Sequence, residues 1–239
     1  MNIAVIFAGG TGKRMHSGAI PKQFLELHGK PLIVYTLEKF QNHQDIDAIV
    51  VVCLKSWIGK LEKLVNTYDL NKVRAVTPGG ETPQESAFQG LLKVREFAKD
   101  DDIVLVHDGV RPLVDESTIT KGIACTRKNG NAITVTPAIE TIFLDNTREG
   151  EVGQILDRSQ CLMARAPQCF LLGELYRAQK TSLEKGEKFI DSASLMKAYG
   201  HKLYTVEGVP ENIKITTPTD FFLFRAMVQV HENQQIFGF

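Results

Sequence analysis

The run Ile3-Ala4-Val5-Ile6-Phe7 leads directly into Ala8-Gly9-Gly10-Thr11-Gly12-Lys13-Arg14-Met15. A short apolar run of this kind predicts a buried strand, and the glycines predict a loop at its end. Three glycines within four positions permit positive φ angles and close backbone approach, so several N–H groups can point at phosphate oxygens. Arg14 and, shortly after the loop, Lys22 add positive charge. The segment therefore predicts a loop that wraps a triphosphate.

A tight surface turn with solvated basic side chains is the alternative interpretation of this segment. Two familiar phosphate loops are not supported. The P-loop pattern G-x-x-x-x-G-K-[ST] is absent, and the dinucleotide-binding pattern G-x-G-x-x-G would need a glycine where Met15 stands. The spacing favours another type of nucleotide site, in which separated lysine and arginine side chains assist the loop.

The composition predicts a globular chain without a dominant charge. Its 239 residues are 43% hydrophobic and 23% charged, which is enough to bury the core of one domain. Lys plus Arg and Asp plus Glu number 28 each, so no overall field attracts nucleic acid or an anionic membrane. We expect neither as a partner, and a bound anion must be met by locally clustered cations.

The cysteines indicate a reducing environment. Cys53, Cys125, Cys161 and Cys169 form no C-x-x-C pair, and the six histidines are scattered, so a zinc site is not expected. The sequence shows no signal-peptide pattern and no long apolar span. We expect four free thiols and a cytoplasmic location.

Strand-like and helix-like segments alternate along the chain, which is typical of a parallel sheet covered by helices. Thr82-Pro83-Gln84-Glu85 and Thr217-Pro218-Thr219-Asp220 each combine an N-cap threonine, a proline at N1 and an acid at N3. Further helix starts are predicted at Pro31, Ser56 and Asp115. The predicted strands are 3–7, 48–53, 73–76, 103–107, 132–136 and 202–206.

Ligands of open α/β sheets bind beyond the carboxyl ends of the strands. Asp108 directly follows the apolar run 103–106, so its carboxylate is expected at that rim, where it could hold Mg²⁺ against phosphate oxygens. A helix cap or a salt bridge to Arg111 is the alternative role. Arg111 could instead clamp a substrate phosphate, and His107 is expected to be mainly structural.

The segment from about 139 to 170 breaks the alternation. It contains short strand-like pieces joined by polar turns, including Thr-Ile-Phe-Leu-Asp-Asn and Ala-Pro-Gln-Cys-Phe. We predict an arm that leaves the main sheet. Because an extended two-stranded piece is marginal alone, we expect it to pack on a second subunit or to close over a ligand.

Several motifs together resemble one enzyme family, the cytidylyltransferases that act on 2-C-methyl-D-erythritol 4-phosphate or D-ribitol 5-phosphate. The resemblance runs in order from residue 3 to about 227. Its motifs are Ala-Gly-Gly-Thr-Gly-Lys-Arg-Met, Pro-Lys-Gln-Phe, Gly-Gly-Glu with Ser86, Val-His-Asp-Gly-Val-Arg-Pro, Asp157-Arg158, Ala-Pro-Gln, Asp191-Ser192-Ala193-Ser194 and Asn212-Ile213-Lys214-Ile215-Thr216.

The resemblance implies one Rossmann-like nucleotidyltransferase domain over residues 1–239, with a projecting β-arm at about 139–170 that interlocks a homodimer. It implies that an alditol phosphate attacks the α-phosphorus of CTP, with Mg²⁺ as cofactor, to give a CDP-alditol and pyrophosphate. A phosphate monoester is already largely ionised near neutral pH. The chemistry therefore needs positioning and neutralisation of negative charge rather than a strong base.

The resemblance also implies roles for matching positions. Arg14, Lys22 and Lys214 would bind the triphosphate and stabilise the transition state, and Asp108 would bind Mg²⁺ or contact the acceptor. Arg158 would reach the acceptor phosphate from the arm, and whether it does so across the dimer is left open. The acceptor would be bound by Asp108, Arg111, Thr141 and Arg158, and the nucleotide by Ala8, Gly9, Gly10, Thr11, Gly12, Gly79, Gly80 and Ser86.

Departures from the erythritol branch of the family favour D-ribitol 5-phosphate. Pro83 stands where that branch usually carries arginine, Ala166 replaces a threonine, and Ile190 replaces another. The loop 16–20 looks more like the ribitol branch. The expected pathway is teichoic acid or capsule synthesis, with 2-C-methyl-D-erythritol 4-phosphate and isoprenoid synthesis as the alternative.

Other functions remain open from the sequence. A sugar-phosphate nucleotidyltransferase using UTP or GTP would share the opening loop, and a silent nucleotide-binding regulator is the non-enzyme alternative. The aromatic-rich C-terminal end suggests a membrane or partner surface. The helical spacing of Phe222, Ala226, Met227 and Val230 instead favours core or dimer packing.

Overall fold

The computed structural model describes residues 1–10, 20–145 and 150–237, without the side chains of 234–237. Thr11, Gly12 and Arg14, which the sequence assigns to the nucleotide site, lie outside the described residues. The strands are β1 (Asn2–Ala8), β2 (Glu26–Leu27), β3 (Lys30–Pro31), β4 (Ala48–Cys53), β5 (Val73–Pro78), β6 (Ile103–Asp108), β7 (Asn131–Pro137), β8 (Phe143–Leu144), β9 (Gln154–Ile155), β10 (Leu162–Leu171) and β11 (Thr205–Glu207). The α-helices are α1 (Leu32–Gln41), α2 (Ile58–Thr67), α3 (Pro83–Arg95), α4 (Glu116–Asn129), α5 (Leu172–Glu184), α6 (Ser192–Ala198) and α7 (Pro218–Phe237).

A seven-stranded sheet forms the centre of the fold, in the order β11-β7-β10-β6-β1-β4-β5. β1 pairs in parallel with β4 and β6, and β5 and β11 also pair in parallel with their neighbours. β10 alone among these seven strands runs antiparallel, between β6 and β7. The predicted α/β class with a mostly parallel sheet is therefore confirmed.

Both faces of the sheet are covered, as the alternation in β1 illustrates. Ala4 and Ile6 pack into a cluster with the apolar sides of α1, α2 and α4. Ile3 and Val5 point to the other face and pack with α3, α5 and α6. Because successive side chains of a strand alternate between faces, a continuous apolar run is required wherever helices cover both.

The predicted helix starts are mostly confirmed. Thr82 and Glu85 form a reciprocal capping box, with Pro83 as the first residue of α3. Thr217 and Asp220 make the same pair of bonds at the start of α7. The start predicted at Ser56 is early, because a 3₁₀ turn over Lys55–Trp57 precedes α2.

The predicted arm is shorter than the segment 139–170. β8 and β9 form a two-stranded antiparallel piece, but Leu162–Leu171 is a strand of the main sheet. The pairing of β10 with β7 shifts register between Ala164 and Gln168, around Pro167. A proline and an irregularity inside a strand resemble a turn in the sequence, which explains the misplaced boundary.

Of the residues predicted for core or dimer packing in the C-terminal helix, Met227 adjoins the core, and dimer packing of the others stays a prediction. Phe221, Phe224, Met227 and Val228 belong to or adjoin a third apolar cluster. Phe222 is 66% exposed and Val230 49% exposed, so these two do not enter the core. Because aromatic residues occupy neighbouring positions, the sequence did not show clearly which face of α7 is buried. Within the described ranges, no helix combines the length and apolar character needed to cross a bilayer.

Candidate active site

The segment 212–216 lies against the turn that follows β6. Ile215 is fully buried with Val110, Leu113 and Phe224, and its backbone N–H donates to the carbonyl oxygen of Val110 at 2.9 Å. The side chain of the preceding residue, Lys214, forms an ion pair with Asp108, with 2.7 Å between Nζ and Oδ1. Burial of Ile215 thus fixes the position from which Lys214 reaches the site.

Arg111 binds the other oxygen of the same carboxylate. Its Nε donates to Asp108 Oδ2 at 2.9 Å, and its Nη1 donates to the backbone carbonyl of Asn212 at 2.9 Å. Asn212 is fully buried, and its Nδ2 donates to the carbonyl of Ala166 at 2.5 Å. Arg111 and Asn212 therefore join three separate segments, from β6, β10 and the 212–216 segment.

The two cations keep Asp108 ionised. Burial alone would raise the pKa of this carboxyl, but Lys214 and Arg111 outweigh it and lower the pKa to about 2. The adjacent His107 is neutral near pH 7, because burial lowers its pKa to about 4. Its Nε2 lies 3.1 Å from the carbonyl oxygen of Arg111, where it can donate a hydrogen bond. His107 thus supports the turn, in agreement with the structural role expected for it.

Gly109 allows the turn after β6 to lie tightly against β1. Its N–H donates to the carbonyl of Phe7 at 2.8 Å, and its carbonyl accepts from Thr36 Oγ1 at 3.0 Å. A Cβ at this position would lie 2.5 Å from Ile33 Cδ1 and 2.9 Å from the Phe7 carbonyl oxygen. A side chain larger than hydrogen would displace Asp108 and Arg111 together.

Lys22 connects the glycine-rich loop to the Lys214 segment. The residue is 9% exposed, and its Nζ donates to the carbonyl of Ile215 at 3.0 Å. Its Cε lies 3.6 Å from the point that a Cβ on Gly10 would occupy. Two of the three predicted catalytic cations, Lys22 and Lys214, therefore converge at the carboxyl ends of β1 and β6.

Gly79, Gly80 and Ser86, which were predicted to bind the nucleotide, lie between the carboxyl end of β5 and the first turn of α3. The N–H of Gly80 donates to Ser86 Oγ at 3.1 Å, and a Cβ on Gly79 would lie 2.7 Å from that oxygen. The Gly79 N–H donates to the carbonyl of Cys53 at the end of β4. The end of β4, the two glycines and the first turn of α3 thus lie in direct contact with one another.

Arg158 and Thr141 lie near the arm. Arg158 Nη1 donates to the carbonyl of Ile139 at 2.7 Å, and the side chain is exposed. Thr141 is exposed just before β8. Within the described part of the chain, no hydrogen bond or ion pair joins either residue to Asp108 or Arg111, so this single chain does not bring all four predicted acceptor residues together.

Two supporting residues were quoted in sequence motifs without a role. Asn212 holds Arg111 and Ala166, and Gln23 Nε2 donates to the carbonyl of Ala8 at 2.5 Å. Both side chains are buried. A polar residue inside an otherwise apolar motif was the available signal, because a buried amide requires specific backbone partners.

The donor set for a metal is small. In the described ranges, no group of three or more His, Cys, Asp or Glu side chains is placed to hold an ion. Asp108 offers one ionised carboxylate whose two oxygens each already accept from a cation. A carboxylate has about four lone-pair sites, so Asp108 can still serve as one ligand of a hard cation. The remaining ligands would come from phosphate oxygens and water.

The chain matches the family described as IspD, 2-C-methyl-D-erythritol 4-phosphate cytidylyltransferase, over residues 2–230. It is 48% identical to a ribitol-5-phosphate cytidylyltransferase of Vibrio parahaemolyticus, over the full length of both chains. It is 36% identical over 222 residues to a 2-C-methyl-D-erythritol 4-phosphate cytidylyltransferase of Clostridium botulinum, covering 93% of this chain and 95% of that one.

A solved structure is similar over the same extent. The 4-diphosphocytidyl-2C-methyl-D-erythritol synthase of Anaerococcus prevotii superposes with a TM-score of 0.82 at 28% identity, covering 96% of each chain.

Proposed function

Because the chain belongs to the IspD family of 2-C-methyl-D-erythritol 4-phosphate cytidylyltransferases, we propose that it transfers CMP from CTP to D-ribitol 5-phosphate. The products are CDP-ribitol and pyrophosphate. The acceptor rests on relatives named for ribitol 5-phosphate, which are 47% and 48% identical, against 36% for those named for the erythritol phosphate. The departures at Pro83, Ala166 and Ile190 point the same way.

The observation that carries this proposal is that Lys214 and Arg111 both bind the carboxylate of Asp108, while Lys22 binds the carbonyl of Ile215, the residue next to Lys214. Negative charge accumulates on the α-phosphate as the acceptor oxygen attacks, and preorganised cations stabilise it. Lys22 is placed beside the loop that would hold the triphosphate. Lys214 is held by Asp108 with its side chain 44% exposed, so a phosphate oxygen could reach it.

Asp108 has two roles in this proposal. Its carboxylate holds Lys214 and Arg111 in place, and it could also serve as a protein ligand for a divalent cation such as Mg²⁺. Such an ion would neutralise charge on the triphosphate. Arg14 is proposed as a third catalytic cation on the basis of its motif alone.

We further propose that the whole chain is one domain and acts as a homodimer through the arm. Ile139, Phe143, Val152 and Ile155 are each more than half exposed on or beside β8 and β9. A two-stranded piece with exposed apolar side chains is marginal alone, so packing on a second subunit would stabilise it. The same packing could supply Arg158 and Thr141 to an acceptor site. The proposed cytoplasmic location rests on the four free thiols.

Pyrophosphate release tests the reaction. Purified protein with Mg²⁺ and CTP should release pyrophosphate only when an alditol phosphate is added, and faster with D-ribitol 5-phosphate. Both acceptors should be supplied together in one reaction, and the two CDP-alditols quantified by mass spectrometry. A product mixture dominated by the erythritol derivative would reverse the acceptor assignment. Silence with both acceptors would refute the proposed reaction.

A further inference from the structure

Arg165 occupies the acceptor side of the strand edge, although no sequence motif assigned it a role. It lies in β10 within the register shift between Ala164 and Gln168. Because β10 runs antiparallel to β6 and β7, its first half lies at the carboxyl ends of those two strands. Arg165 Nε donates to Oγ1 of Thr136, near the carboxyl end of β7, at 3.2 Å.

Arg165 is held close to Arg111. The residue that follows it, Ala166, accepts a hydrogen bond from Asn212, whose own carbonyl accepts from Arg111 Nη1. Partial burial and then the charge of Arg111 lower the pKa of Arg165. The backbone next to Arg165 is thus joined to Arg111 through Asn212, which brings two arginines to the same strand edge.

The described residues do not neutralise this pair of arginines fully. Arg111 has Asp108, a carboxylate that Lys214 also occupies. Within the described ranges, no carboxylate forms an ion pair with Arg165, whose hydrogen bond goes to the neutral Thr136 hydroxyl. Two neighbouring guanidiniums that share less than one carboxylate are stabilised by an added anion, and their planar forks suit a phosphate group.

We propose that Arg165 binds the phosphate of the alditol acceptor, together with Arg111. The position favours the acceptor over CTP, since the proposed nucleotide residues follow β1 and β5, whereas Arg165 lies between β6 and β7. The inference rests on the proposed function for the identity of the ligand. It adds a substrate-binding residue that orients the attacking phosphate.

The test measures acceptor and nucleotide affinity separately. Arg165→Gln removes the charge and should raise KM for D-ribitol 5-phosphate about 10- to 100-fold, as expected for lost charge-assisted hydrogen bonds, while KM for CTP stays within about twofold. Arg165→Lys keeps the charge without the fork and should recover part of the loss. Thr136→Val keeps the arginine but removes its orienting hydroxyl, and should raise the same KM about two- to fivefold. Arg177→Gln is the matched control, because Arg177 lies on α5, is exposed and pairs with Asp100.

Calorimetric titration with D-ribitol 5-phosphate, with and without CMP, separates this inference from the proposed reaction. If the wild type binds the acceptor, Arg165→Gln does not, and no turnover occurs with either alditol phosphate, the phosphate site stands and the proposed reaction fails. An unchanged acceptor KM and Kd in Arg165→Gln overturns the site even if the enzyme is active. A rise confined to the CTP KM, or a wild type that does not bind the acceptor, also overturns it.

Discussion

The two halves of the functional strand edge are built differently. On the β1–β4–β5 side, the residues proposed for the nucleotide are glycines packed against the first turn of α3, where the Gly80 N–H donates to Ser86 Oγ. On the β6–β10–β7 side, charged side chains dominate, and buried hydrogen bonds from Asn212 and His107 hold Arg111 and its turn. Lys22 and Lys214 lie near the boundary between the halves.

The difference matches the proposed ligands, which are CTP on the first side and the alditol phosphate on the second. Backbone N–H groups in a fixed loop suit a nucleotide whose phosphates and base are always the same. Side-chain cations on strands that end at the same edge suit a smaller anion, and they can change between related enzymes without changing the fold. Substitutions in the two halves should therefore affect different kinetic constants. Of the four experiments below, the first two test the charged residues and the last two test this separation directly.

Removal of Lys22 or Lys214, which lie between the two halves, should have the largest effect on turnover. Lys22→Ala and Lys214→Ala should each lower kcat on the order of 10² to 10³, because either lysine stabilises charge that develops in the transition state. The melting temperature should change little by comparison. Lys180→Ala, an exposed lysine paired with Glu184, is the control. A wild-type rate in either variant would remove that lysine from the mechanism.

Protonation of Asp108 at acid pH should lower the free energy of unfolding. Its pKa of about 2 lies below the unfolded value near 3.9, so its stabilising contribution is complete above about pH 4 and disappears as the pH falls towards 2. Denaturant unfolding of the wild type and Asp108→Asn at pH 6 and pH 2 should differ less at the lower pH, by about 2 kcal/mol in the free energy of unfolding. A difference that is independent of pH would mean that the carboxylate is not stabilised by Lys214 and Arg111.

A side chain that fills the space beside Ser86 should raise the KM for CTP. Gly79→Ala places a Cβ 2.7 Å from Ser86 Oγ and should raise KM for CTP about tenfold, a cost of about 1.4 kcal/mol. The acceptor KM should stay close to that of the wild type. Gly59→Ala, where nothing lies within 4 Å of the added Cβ, is the matched control. Equal rises in both KM values would argue against separate halves.

The cap of α3 should give the smallest effect. Thr82→Ala removes the side-chain oxygen that accepts from the Glu85 N–H, and should lower the free energy of unfolding by about 1 kcal/mol. Thr82→Ser keeps the oxygen and serves as the control. Chemical denaturation measures the change, and parallel kinetics should show a small rise in the CTP KM only. A larger change in the acceptor KM would contradict the proposed separation.

Contacts between residues that are close along the chain were easier to predict than contacts between distant segments. Gly79, Gly80 and Ser86 are close along the chain, so a local motif was sufficient to place them together. The sequence assigned no role to Arg165, which directly precedes the Ala-Pro-Gln motif, because segment 139–170 was predicted to be an arm, whereas β10 belongs to the main sheet. The contact between Arg111 and Asn212 spans 101 positions, and no local pattern encodes it.

By itself, the sequence determined the alternation of elements, the caps of α3 and α7 and the family, since each of these depends on neighbouring residues or on ordered motifs. Only the tertiary structure decided that β10 runs antiparallel inside the sheet and that Asp108 lies between Lys214 and Arg111. The physical reason is that strand order and ion pairing depend on burial and charge contributed by distant segments, which no stretch of sequence carries alone.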